Sequence, residues 1–326
     1  MYYAFDLATG DIRWSHDFTA EVGHATFHGD ALLTSDVLVT GTESLDPVRV
    51  YAFDPRSGEV LWQRAGEYAL TRSDIVGMGE LAVGRNDRGD LVALDARTGE
   101  LRWHVGHRGQ RFRPDVAESP AVVQTDVVFS APDGALYRVD GENGAVRWRS
   151  PLDCDVTTSV AVAGEDVYAG CADGRVFRVS AADGSERSRI RLPAVPEGRL
   201  AVLDHRVIVP AGRGWIGAVD RALTRIQWEH RPGSPLSVVQ PLVWNDVVLT
   251  GNGDGQLIAL DLRTGETVWI AALSGSIRGL GRHDDLLLVG TIEGVLYALR
   301  TASLRPARAA SRSTPIPASP RSSSRP

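Results

Sequence analysis

Short runs in which apolar and polar residues alternate fill the chain, and they predict strands rather than helices. Ser119 to Val123 and Asp126 to Ser130 alternate in this way and are followed by the turn Pro132-Asp133-Gly134. The same order returns at Ser159 to Val162 with Val167 to Cys171, and at Pro241 to Trp244 with Val247 to Gly251. After each such pair comes a further hairpin with one spelling: YAFDLATGDIRW from Tyr3, YAFDPRSGEVLW from Tyr51, VALDARTGELRW from Val92, YRVDGENGAVRW from Tyr137, FRVSAADGSERS from Phe177, GAVDRALTRIQW from Gly217 and IALDLRTGETVW from Ile258. An eighth copy opens at Tyr297 and breaks down after YAL. Four antiparallel strands per unit, repeated every 39 to 48 residues, are the composition of a propeller blade.

Within each copy the parts have distinct physical jobs. An Asp closes the third strand, where its carboxylate can accept backbone N–H groups, and a Gly then supplies the positive φ that the return strand needs. The Trp eight residues after the Asp (Trp14, Trp62, Trp103, Trp148, Trp228, Trp269) is expected to bury its ring against the neighbouring blade while its indole N–H finds an acceptor. The fifth copy has Ser180 and Ser188 at these two places. The fold class is therefore all-β, a propeller of about eight four-stranded repeats forming seven or eight blades. The chain opens with the outer two strands of a blade and ends after a third strand, so the ring is expected to close incompletely. Residues 1–300 make up the propeller, and residues 301–326, rich in Arg, Ser and Pro, form a disordered tail.

The repeated phrase LYALDAxTGxxxW resembles the PQQ-like, quinoprotein-type propeller repeat, and the likeness covers nearly residues 3 to 299. Proteins similar in this way include quinoprotein alcohol and glucose dehydrogenases, the lipoprotein that scaffolds outer-membrane barrel assembly, and the sensor halves of some bacterial Ser/Thr kinases. The dehydrogenase resemblance implies PQQ with Ca²⁺, but the vicinal cysteine pair common in those enzymes is lacking, since Cys154 and Cys171 stand far apart. Oxygen ligands of the kind Ca²⁺ requires are offered by Asn86-Asp87-Arg88-Gly89-Asp90 and Asn252-Gly253-Asp254-Gly255, where turn formation explains the residues equally well. No kinase motif and no nucleophile-and-base spacing is present, so a binding or scaffold module without a cofactor is the leading expectation. A quinoprotein oxidoreductase or its remnant, and a sensor separated from its kinase, stand as alternatives.

Charge narrows the choice of partner. The net charge is −6, yet five arginines and no acid in residues 301–326 leave the first 300 residues at −11. A body that acidic repels a phosphate backbone, which argues against nucleic acid and leaves a protein or peptide partner. Aligned inner strands place Arg72, Ser119, Thr158, Arg199, Gln240 and Arg278 near the channel mouth, and three arginines there would suit a small anionic ligand unless acids such as Asp74 or Glu197 pair with them. The long insertion between blades carries His104, His107, Arg108, Arg111, Phe112 and Arg113, an Arg-and-aromatic set suited to a protein contact. Its two histidines are too few, and on a strand end too far apart in direction, for a metal site.

Cys154 and Cys171 read as two part-buried thiols; a bridge between them would imply an oxidising compartment. No apolar run reaches the length of a membrane span, and no signal segment precedes the first repeat. As written the chain reads as cytoplasmic. Met1 falls where the third strand of a blade begins, however, and a missing upstream part would make it periplasmic or otherwise extracytoplasmic.

Overall fold

The computed structural model describes residues 2–18, 30–42, 48–71, 73–106, 119–212, 214–231, 236 and 240–300. Every regular element in it is a β-strand, and the strands form eight sheets in chain order. Six of these, spanning 32–65, 76–105, 121–151, 161–191, 201–230 and 242–272, have four antiparallel strands paired in sequence order. They are preceded by a hairpin, Tyr2–Phe5 with Ile12–His16, and followed by a three-stranded sheet over 277–300. The expected blades are thus found, six of them with four strands and the last one with three among the described residues, with the hairpin as a part-blade. No hydrogen-bonded strand joins the hairpin to the last sheet among the described residues.

The core lies between the sheets rather than within them. Val123, Val128, Leu136 and Trp148 of one sheet pack on Val160, Val167, Ala169, Phe177 and Val179 of the next, and most of these are wholly buried. Each of seven such clusters joins one sheet to its successor. Alternation explains the geometry: a strand buried on both faces presents one row of side chains to each neighbouring blade.

The repeat's punctuation behaves as its chemistry requires. Asp54 Oδ1 accepts the backbone N–H groups of Arg56 at 2.7 Å and Ser57 at 3.0 Å, and Asp95, Asp140 and Asp261 make the same turn. At Asp6 the Arg13 guanidinium and the Ala8 and Thr9 amides hold the carboxyl down at about 2. The Trp then reaches forward to the carbonyl just after the next blade's Asp, or after Ser180 in the fifth copy. Trp14 donates to Pro55 at 3.0 Å, Trp62 to Ala96 at 3.1 Å, Trp103 to Gly141 at 2.8 Å, Trp148 to Ala181 at 2.9 Å and Trp228 to Leu262 at 2.9 Å. For Trp269 the equivalent acceptor, residue 301, lies outside the described residues.

Glycine in that turn has a second duty beyond its positive φ. The preceding blade's indole lies flat on it: a Cβ on Gly58 would stand 2.5 Å from Trp14, and one on Gly144 would stand 2.9 Å from Trp103. The fifth repeat, which lacks the Trp, is repaired from another strand. Tyr168 lies in the same cross-strand row as Ser188, through Arg178, and its hydroxyl donates at 3.0 Å to the Arg221 carbonyl, the atom an indole would have reached. Other blades carry Val83, Val128, Ile208 or Leu249 at the place of Tyr168. The turn facing Ser188 has Thr224 where the others have Gly, so the ring and the space made for it are lost together.

One expectation is corrected. Cys154 and Cys171 are joined in a disulfide, not held as two thiols, with Cα atoms 5.9 Å apart. The reason is register: Val156 bridges Cys171, which folds the entry to the 161–191 sheet back along that sheet's second strand and brings the sulfurs together.

Candidate functional site

The first strands of successive sheets approach one another, so the residues just before them ring a central channel. Counting back two residues from each first strand gives Asp30, Asp74, Ser119, Ser159, Arg199 and Gln240. All six line one cleft of about 390 Å³, whose walls are Ile75, Val76, Pro120, Val160, Val162, Leu200 and Val202.

These six residues form a relay from blade to blade. The Asp30 amide donates to Asp74 Oδ1 at 2.6 Å, the Asp74 amide to Ser119 Oγ at 3.1 Å, and the Ser119 amide to Ser159 Oγ at 3.2 Å. The Ser159 amide continues to the Gly198 carbonyl at 2.9 Å, and Arg199 Nη1 donates to Gln240 Oε1 at 2.7 Å. Arg199 also reaches across the mouth. Its Nη1 lies 2.9 Å from Asp30 Oδ2 and its Nη2 pairs with the buried Asp74 carboxylate, tying the 201–230 sheet to the first two four-stranded sheets.

The sequence expectation is thus met in part and displaced in part. Ser119, Arg199 and Gln240 lie at the mouth as expected. Thr158 does not: it is wholly buried one residue behind Ser159, its Oγ1 accepting the Gly170 amide at 2.8 Å. Arg278 is exposed on the last sheet, beyond the cleft, and Arg72 lies outside the described residues. The missed members, Asp30, Asp74 and Ser159, would have emerged from a common offset of two residues before each first strand. Among the described residues the mouth has one arginine, held by two carboxylates, and an anion entering it would meet the charge of both acids once it displaced them.

His104 is exposed and stands edge-on to Tyr68, with ring centres 5.0 Å apart. The remainder of the insertion, including His107, Arg108, Arg111, Phe112 and Arg113, lies outside the described residues, as does the tail 301–326. The segment nevertheless re-enters the fold at Ser119, on the mouth itself.

The described residues of this cleft do not supply what a quinone cofactor with Ca²⁺ would require. A planar tricarboxylate needs uncommitted cations and a flat surface to stack on, whereas among the described residues the one arginine lining the cleft is committed to Asp30 and Asp74 and no aromatic ring lines the wall. The Asn-rich turns offered as oxygen ligands are occupied in their own loops: Asn86 Oδ1 accepts the Arg88 and Asp90 amides, and Asn252 Oδ1 the Asp254 and Gln256 amides.

Comparison with known proteins agrees with the repeat anatomy. The family described as outer membrane protein assembly factor BamB, built from PQQ-like repeats, matches residues 1–106 and 46–271. The chain belongs to this family. It is 25% identical over 300 residues to the outer membrane protein assembly factor BamB of Moranella endobia, a match covering 90% of this chain and 69% of that one. The crystal structure of BamB from Moraxella catarrhalis superposes with a TM-score of 0.77 at 18% identity, covering 89% of this chain and 88% of that one, which shows a shared fold. A 118-residue stretch is 34% identical to the quinohemoprotein alcohol dehydrogenase ADH-IIG of Pseudomonas putida; it spans 31% of this chain and only 16% of the dehydrogenase. Among the described residues, no helix is long and apolar enough to cross a membrane.

Proposed function

We propose that this BamB-family propeller is a non-catalytic scaffold that presents its channel-mouth face to a protein or peptide partner in outer-membrane assembly, outside the cytoplasm. The observation that carries this reading is the relay from Asp30 to Gln240 with Arg199 strapped across it. Such a frame holds the mouth rigid, so loops rooted there bind with little further ordering cost. The segment 107–118, which enters at Ser119, is the recognition loop on this reading. Support for the compartment comes from the Cys154–Cys171 bridge, since disulfides persist in oxidising environments. The paired charges of the mouth and the acidic body both favour a protein partner over a phosphate-rich one.

The test is site-directed cross-linking in an outer-membrane-assembling cell. Arg199→Glu at the mouth and replacement of 107–118 by a short Gly-Ser linker should each abolish cross-links to assembly proteins, while Glu142→Lys in a far-face turn should leave them intact. Equal loss with all three changes would remove the mouth from the account. The reading includes no cofactor, so stoichiometric quinone uptake or dye reduction on adding PQQ and Ca²⁺ would overturn it.

A further inference from the structure

The outer hairpin of the 161–191 sheet gathers positive charge that the equivalent hairpin of the preceding sheet neutralises. In the 121–151 sheet Tyr137 faces Arg149 across the third and fourth strands, and both bond one carboxylate: Asp133 Oδ2 accepts the Tyr137 hydroxyl at 2.7 Å and Arg149 Nη2 at 2.8 Å. In the 161–191 sheet the residues at these places are Phe177, Arg189 and Asp173. Phe177 has no hydroxyl, and Arg175 and Arg191 replace the directly opposed pair Ala135 and Pro151. Like charges set opposite each other in a sheet repel unless an anion offsets them.

Asp173 does not neutralise all three arginines. Its Oδ2 takes Arg175 Nε at 2.5 Å, while Arg191 Nη1 donates to the Asp173 main-chain carbonyl at 2.8 Å. Glu186 stands 3.6 Å from Arg189 Nε, outside hydrogen-bond range, and both side chains of that pair are largely exposed. Asp173, Arg175, Arg189, Ile190 and Arg191 enclose a cleft of about 600 Å³, so three cations against one carboxylate leave two positive charges in its lining. Two of the guanidinium groups also rest against one fixed ring. The Cζ atoms of Arg175 and Arg189 lie 4.8 Å and 6.0 Å from the centre of Phe177, which is buried, and Arg175 Nη2 donates to the Leu152 and Asp153 carbonyls at 3.4 Å and 3.3 Å. Donors held in this way lose little freedom when a ligand arrives.

We propose that this cleft binds a small molecule carrying a terminal phosphomonoester. Such a group brings about 1.5 to 2 negative charges and three acceptor oxygens, which match the charge of the lining and its three guanidinium forks. A carboxylate brings one charge and two oxygens. The volume admits a compact organic phosphate. A long polyphosphate or an anionic membrane would meet the rest of the body, whose first 300 residues carry −11, and be repelled. The site lies on the third and fourth strands of its sheet, inside the unbroken described stretch 119–212, whereas the mouth precedes the first strands, so it is tested independently of the scaffold reading.

The probe is glycerol 3-phosphate, titrated into the full chain by isothermal calorimetry at constant ionic strength, with succinate as a dianion that has no phosphate. Saturable binding of glycerol 3-phosphate is expected, about tenfold or more tighter than that of succinate. Arg189→Gln with Arg191→Gln should weaken it about tenfold or more while leaving Tm unchanged, because both side chains are exposed. Arg191→Lys, which keeps the charge and loses the planar fork, should fall between the two. The proposal is overturned by absence of saturable binding, by unchanged affinity in the double variant, or by equal affinity for succinate, a comparison that needs no variant protein. It is equally overturned if vesicles containing phosphatidic acid bind while glycerol 3-phosphate does not, which makes a membrane surface the partner.

Discussion

Tyr168 provides the sharpest test of how the blades are held. If its ring and hydroxyl replace the missing fifth tryptophan, Tyr168→Val should remove both at once. The side chain is wholly buried and its hydroxyl bond to Arg221 links that row to the next blade. A large-to-small change in a core costs about 2–5 kcal/mol, and the lost bond accounts for about 1 kcal/mol of that, so we expect about 3 kcal/mol. For a chain of this size each kcal/mol lowers Tm by roughly 2 °C, giving a drop of about 6 °C by differential scanning fluorimetry or circular dichroism. The decisive step is rescue. Adding Ser188→Trp with Thr224→Gly to Tyr168→Val rewrites the fifth repeat to match the others, and more than half of the loss should return. Ser188→Trp alone, with Tyr168 and Thr224 still in place, should overpack the interface and destabilise by about 1–3 kcal/mol. Additive losses through the whole series would refute the idea that one ring, supplied from either strand, fills one seat.

Three other outcomes follow from the same structure. Reduction, or Cys154→Ser with Cys171→Ser, releases a constraint on residues 17 apart in sequence and should lower stability by about 3 kcal/mol, seen as a fall in Tm on adding dithiothreitol to the native chain but not to the double variant. Arg199→Ala leaves Asp74 buried without its cation, and a loss of about 3–5 kcal/mol by chemical denaturation is expected, with Asp74→Asn restoring part of it in the double variant. In acid, the turn carboxylates whose protonation falls below the ordinary range, Asp6 at about 2 and Asp54 and Asp261 in the same direction, stabilise the fold fully above the unfolded-chain value of about 4. That contribution is lost as pH falls through the folded value, so Tm should hold from neutrality to about pH 4 and then decline toward pH 2.

Much of this was legible in the sequence because its strongest signals are local. Asp, Gly and Trp at fixed offsets report a turn and a wedge, and each is found in that role. The mouth was read less well because its alignment rests on strands of two or three residues, such as Ala201–Val202, that hold no invariant marker. A slip of one residue exchanged Thr158 for Ser159, and Asp74 was passed over for Arg72, which lies outside the described residues. In a strand, a one-residue slip turns the side chain to the opposite face, which is why Thr158 is buried while Ser159 lines the cleft. The disulfide was hidden for a different reason: the residues before the 161–191 sheet contain no turn signal that announces the bridge from Val156 to Cys171.

The pairing of Trp with the next blade's Gly carries an energetic consequence. Blades that touch only their neighbours have stabilities that add as nearest-neighbour terms, so emptying one indole seat costs the one interface that holds it. Tyr2 and Ala4 of the 2–16 hairpin pack with Trp14 against Tyr51 and Phe53, so the seat of Trp14 on Gly58 joins that hairpin to the 32–65 sheet.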